Sequence, residues 1–151
     1  MERPEKVIVP DASVIDKWFV EEEHSDAALA LREDYVARRV DIAAPELLPF
    51  EVLNSLRYNP AFGEQDLPRV AEALDGYCFW LFALEGDFAK QAVEKSLRYG
   101  ISVYDASYVS LGEMKGADFY TADEKLLGKL GGMHGIHHIS QYGGVEPTGG
   151  R

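Results

Sequence analysis

Cysteine is almost missing from this chain of 151 residues: Cys78 stands alone. That excludes an internal disulfide and agrees with a reducing, cytoplasmic setting. Long apolar runs are missing too. The longest, Tyr77 to Leu84, falls far short of the ~20 residues that a membrane span needs. The first ten residues mix Glu, Arg, Pro and Lys, which predicts no secretory leader. Positive charge is scarce, with 15 Lys and Arg against 26 Asp and Glu for a net charge of −11. No long basic stripe of the kind that grips duplex phosphates is present. A polyanionic substrate would therefore need local bases, bound cations, or both. The phosphate cradles GxGxxG and GxxxxGK[ST] are absent, as is the GxSxG nucleophile elbow.

What remains is an ordinary globular composition, 46% apolar and 27% charged, long enough for one full core. No repeat or linker divides it. Residues 1–142 are expected to form a single domain and 143–151, rich in Gly and Pro, a loose tail; Met1 to Glu5 is also expected to be loose. Val7 to Val9 reads as a strand stopped at Pro10-Asp11. Ser13 with Asp16 has capping-box spacing for a short helix, and Ser25 is placed to cap the next one, running to about Arg39. A brief strand at Ile42 to Ala44 leads into a helix over Glu46 to Tyr58, with Pro49 in its first turn. A helix from Asp66, a strand near Trp80 and a helix from Asp87 to Tyr99 come next. A helix capped by Ser102, a strand at Asp118 to Thr121, a helix from Asp123 and a last strand at Gly135 to Ile139 complete the pattern. Alternating strands and helices predict an α/β fold with a mainly parallel central sheet covered on both faces.

Ligands in such sheets bind beyond the carboxyl ends of the strands. Asp11 directly follows the first strand and Asp123 follows Asp118 to Thr121, with Thr121 two residues earlier on the same side. Glu51 lies one turn into its helix with Asn54 on the same face, and Asp105 sits three residues after Ser102. Four carboxylates from four segments could meet on one rim. Each alone is equally a helix cap, a turn residue or a solvated position. His137 and His138, adjacent in a strand, face opposite sides and cannot chelate one metal together. Glu21 to Glu23 reads as a solvated helix start, and Tyr77, Phe79, Trp80 and Phe82 as core aromatics.

Taken in order, Val9-Pro10-Asp11-Ala12-Ser13-Val14, then Ala44-Pro45-Glu46-Leu47-Leu48 running into Glu51-Val52-Leu53-Asn54-Ser55-Leu56, then Tyr104-Asp105-Ala106-Ser107-Tyr108, then Tyr120-Thr121-Ala122-Asp123 with Leu126 behind it, make a set. That set resembles the PIN-domain nucleases, most closely the VapC-type toxins of toxin–antitoxin pairs, over roughly residues 7–140. The resemblance implies a three-layer α/β/α sandwich and a Mg²⁺-dependent ribonuclease, with Mn²⁺ as a substitute. Asp11, Glu51, Asp105 and Asp123 match the family's acidic quartet, and Ser13, Asn54 and Thr121 match the polar positions that support it. Asp11 and Asp105 would be direct metal ligands, Asp123 would bind a second metal or water, and Glu51 would orient the attacking water or its metal. The resemblance also implies a homodimer and a small antitoxin partner whose tail occupies the active-site groove. Lys17, Arg57, Lys90, Lys95 and Arg98 are the bases expected near that groove.

Two other classes fit parts of the pattern. A metal-dependent phosphatase or receiver-type domain also places acids at strand ends, but a receiver wants an acidic pair where Pro10-Asp11-Ala12 offers one acid. A non-catalytic interaction module would use the four acids as caps. Magnesium titration separates the module from either enzyme, and activity on RNA against small phosphate esters separates the enzymes.

Overall fold

The computed structural model describes residues 2–145. Five strands form one sheet in the order β3-β2-β1-β4-β5: β1 (Val7–Pro10), β2 (Asp41–Pro45), β3 (Trp80–Phe82), β4 (Asp118–Thr121) and β5 (Ile136–His138). Every pairing is parallel, with Ile8 opposite both Ile42 and Asp118. β1 and β2 are buried almost throughout, which is why they read as unbroken apolar runs rather than alternating ones. The edge strands β3 and β5 are partly exposed.

Seven helices connect them: α1 (Ala12–Ile15), α2 (Ser25–Val36), α3 (Leu48–Arg57), α4 (Asp66–Tyr77), α5 (Gly86–Tyr99), α6 (Val103–Lys115) and α7 (Glu124–Leu130). From β1 the chain steps outward to β2 and β3, then returns to lay β4 on the other side of β1. With right-handed crossovers that reversal sends α1 to α4 to one face and α5 to α7 to the other, giving the α/β/α sandwich. α6 packs across β1, β2 and β4. It approaches closely at Gly112, where an added Cβ would sit 3.2 Å from the carbonyl oxygen of Ala117; the glycine is a packing requirement.

Local chemistry differs from the sequence expectation at two helix starts. Ser13 does not cap α1. The cap is Asp11, whose side chain accepts from the Ser13 amide, because the helix begins one residue after the strand ends. Ser25 does not cap α2 either. Its hydroxyl accepts from the Glu22 amide and donates to the Val20 carbonyl, closing the preceding loop, while His24 at the cap position takes a left-handed φ of 66°. The α2 helix stops at Val36, and Glu21 to Glu23 belong to the loop before it. Ser102 caps α6 as expected, accepting from the Asp105 amide.

The chain ends are more tied down than their composition suggests. Arg3 pairs with Asp41, and Arg38 donates to the carbonyl of Glu2. The amide of Val145 donates to Asp34; Met1 and residues 146–151 of the expected loose ends lie outside the described residues.

Candidate active site

The sheet order reverses at β1, which makes the carboxyl ends of β1 and β4 its switch point. This is the position where parallel sheets bind ligands. Asp11 leaves β1 there, its amide still donating to the carbonyl of Tyr120 at the end of β4. Asp11 is 7% exposed. Ser13 donates to it through both amide and hydroxyl, each time to Oδ1. The Ser13 hydroxyl also accepts from the Ala122 amide at 2.9 Å and lies 3.4 Å from the hydroxyl of the fully buried Thr121. Thr121 in turn accepts from the Asp123 amide at 3.0 Å. One hydroxyl pair thus ties the end of β1 to the end of β4. Asp123 caps α7, its Oδ1 accepting from the amides of Lys125 and Leu126.

The other two acids arrive from helices. Glu51, half-buried in the first turn of α3, accepts a 2.7 Å hydrogen bond from Tyr108 on α6. Asp105 sits in the first turn of α6. Burial pushes the Asp11 carboxyl up to about 6; the hydroxyls of Ser13 and Thr121 pull against that, and the charges of Asp105 and Glu51 add to it. Glu51 is raised by burial and by Asp105, against the Tyr108 bond. Asp105 is raised by burial and by Asp123, with Ser102 and Lys129 opposing. Asp11, Glu51 and Asp105 therefore lie within reach of one another's charge, and repulsion adds to desolvation. Among the described residues none of the four forms an ion pair.

Not every expected residue joins this set. Asn54 is exposed and lines a groove between α3 and α4 with Phe50 and Leu53. Lys17 is buried and paired with Glu22 at 3.2 Å. Lys90, Lys95 and Arg98 share a depression on α5 with Asp87, Glu94 and Glu113, and Lys95 is paired with Glu113 there. Arg57 lies over the ring of Tyr58 beside the α3–α4 groove. His137 pairs with Asp118 and His138 with Ser140.

Three contributors escaped the sequence reading. Lys129 on α7 donates to the carbonyl of Gly100 at 3.2 Å and lies close enough to hold the Asp105 carboxyl down. Tyr108 reaches Glu51 across 57 positions of sequence, a link no local pattern carries. Asp16, expected to complete a capping box, instead accepts from Ser55 at 2.7 Å. Its carboxyl is pushed up to about 7 by burial, with Glu22, Asp11 and Glu51 adding to the rise against the Ser55 bond.

The model of the PIN domain matches residues 8–131. The chain belongs to the PIN-domain family. A curated relative, ribonuclease VapC3 of Pyrobaculum aerophilum, is 30% identical over 127 residues, covering 82% of this chain and 94% of the relative. Among solved structures the PIN fold here is similar to PAE2754 of Pyrobaculum aerophilum, with a TM-score of 0.63 at 21% identity and coverage of 92% and 93% of the two chains. It is also similar to a toxin–antitoxin complex from Klebsiella pneumoniae (TM-score 0.63, 17% identity, 85% of this chain and 94% of that one). A third is Mycobacterium tuberculosis VapC20, described as a sarcin–ricin loop cleaving toxin (TM-score 0.61, 14% identity, 93% and 99%).

A divalent cation fits this PIN site in kind. Ser13 occupies only Oδ1 of Asp11, Tyr108 only Oε1 of Glu51 and the helix amides only Oδ1 of Asp123, leaving an oxygen on each for a hard cation. Among the described residues, however, no three such groups are gathered closely enough to hold an ion as they stand.

Proposed function

We propose that this protein is a Mg²⁺-dependent ribonuclease of the VapC type, the toxin of a toxin–antitoxin pair. The observation that carries the proposal is Asp11, buried at the switch point of the sheet with no cation among the described residues paired to it and with the charges of Glu51 and Asp105 acting on it. Supporting it are the PIN match and a 30% identical relative named as a ribonuclease. A helix-capping role accounts for exposed Asp123 alone, but not for burying Asp11 within reach of the Glu51 and Asp105 charges.

Asp11 and Asp105 would hold the metal, with Asp123 serving a second ion or a water. A bound ion supplies a water of lowered pKa and positive charge at the scissile phosphate. Glu51 orients the attacking water. Ser13 and Thr121 fix Asp11 and the start of the Asp123 turn, so the two strand-end acids move as one unit. Lys129 contributes a fixed positive charge beside Asp105, which suits an RNA phosphate in a chain otherwise short of bases.

The partners follow the toxin reading. The groove between α3 and α4, about 750 Å³ and lined by Phe50, Leu53, Phe62 and Leu67, suits an apolar antitoxin segment. Leu97 of α5 and Tyr104 of α6, 80% and 63% exposed, suit a homodimer contact.

Purified protein is expected to cut single-stranded or looped RNA with Mg²⁺ or Mn²⁺ and to stop in EDTA, leaving small phosphate esters untouched. Cleavage undiminished by EDTA, or turnover of the esters instead of RNA, refutes the proposal. Light scattering that gives a strict monomer at high micromolar concentration refutes the dimer.

A further inference from the structure

We propose that Tyr108 is a positioning residue for Glu51, its hydroxyl fixing one carboxylate oxygen so that the other is presented to the reacting centre; this rests on the nuclease reading above. Tyr108 is 1% exposed and stands one helical turn after Asp105 on α6. Its ring stacks on Phe119 at 6.2 Å between centroids, packing that a phenylalanine would provide equally well. The hydroxyl is what packing does not explain. It donates to Oε1 of Glu51 at 2.7 Å, and a buried hydroxyl without that acceptor would carry an unmet desolvation cost.

The bond does three things at once. It satisfies a buried donor, it leaves Oε2 of Glu51 unclaimed by Tyr108, and it joins α3 to α6, the helices that bring Glu51 and Asp105 to the rim. Glu51 in an exposed helical first turn would sample several rotamers; tethered at one oxygen, it keeps one.

The test combines Tyr108→Phe, Glu51→Gln and the double variant. With Mg²⁺ and RNA in excess over enzyme, Tyr108→Phe is expected to lower kcat about tenfold, as loss of a hydrogen bond to a charged group does, with KM moving less than twofold. In the Glu51→Gln background the same change should cost less than twofold, because the carboxylate that the hydroxyl positions is gone although the amide oxygen still accepts. In metal-free protein the urea midpoint shifts of Tyr108→Phe and of Glu51→Ala, which removes the acceptor, should add to more than that of their double variant. Tyr108→Phe with parental kcat beside a dead Glu51→Gln protein overturns the positioning role alone. So does an equal loss from Tyr108→Phe in both backgrounds, or urea shifts that simply add. A Glu51→Gln protein that still cuts at the parental rate overturns the four-carboxylate site and the role of Tyr108 with it.

Discussion

Buried aspartates occur at both ends of the sheet, and they are treated differently. Asp41, at the start of β2, is 2% exposed and is met by the guanidinium of Arg3 and by the Ile42 amide. Asp34, in the last turn of α2 and 4% exposed, takes the guanidinium of Arg39, the hydroxyl of Tyr142 and the amide of Val145. Asp11, at the end of β1 and 7% exposed, is met only by uncharged donors and by other acids nearby. Depth does not distinguish these carboxylates; the partner does. An acid with a matched cation holds the fold together, whereas a buried acid met only by hydroxyls and amides carries an uncompensated desolvation cost, the mark of a candidate site.

The strongest way to break that comparison is to remove one charge from each class and measure both activity and stability. Asp11→Asn keeps the α1 cap, since Asn caps as well as Asp, and should leave the fold intact. RNA cleavage should fall about a thousandfold, the loss of roughly 4 kcal/mol of transition-state stabilisation. The shift in melting temperature on adding Mg²⁺, on the order of 2–3 kcal/mol for the parent at a hundredfold excess over Kd, should vanish with it. Asp34→Ala should do the reverse. Stranding Arg39, Tyr142 and Val145 is expected to cost roughly 3 kcal/mol in urea unfolding, with cleavage per folded molecule unchanged.

A smaller effect sharpens the contrast through pH. Asp11 has a folded value of about 6, above its ordinary 3.8, so the folded state favours its proton. The stabilisation this gives is complete below the ordinary value and is lost as pH rises through the folded one. Metal-free Asp11→Asn should therefore gain on the parent between about pH 4 and pH 7, by at most roughly 3 kcal/mol, less the hydrogen bonds it forfeits. A gap in melting temperature that stays constant over that range would show that Asp11 is not held against its charge. The smallest change is expected where charges are exposed. Lys95→Ala breaks the 3.2 Å pair with Glu113 and should alter stability by less than ~1 kcal/mol and leave cleavage untouched.

The four acids were legible in the sequence because position along an α/β chain carries meaning: strand ends and helix starts lie at one rim whatever the loops do. Asp11 and Asp123 follow strands, and Glu51 and Asp105 open helices. The sandwich was legible for the same reason. Which hydroxyl caps which helix was not. Ser13 has capping-box spacing to Asp16, yet it serves the carboxylate before it and the turn after β4 instead, a contact spanning 109 positions. The bases misled for a related reason. Lys95 and Lys17 pair with acids of their own neighbourhood, and spacing along one helix says nothing of an acid on the next. Asn54 shares a helix with Glu51, but its exposed position faces the α3–α4 groove rather than the carboxylates.

Asp11 caps α1, and under the nuclease reading it also supplies a charge, the one duty that asparagine could not take over. The two residues are one nucleotide apart in the genetic code. Under that reading a single transition would silence the protein and leave helix, sheet and core as they were. A lineage with that change would carry a folded, expressed and inert copy, still able to occupy whatever partner binds the outer surface. Inactive descendants of this chain should accordingly be found as well-formed proteins with asparagine after the first strand, more often than as truncated or unfolded ones.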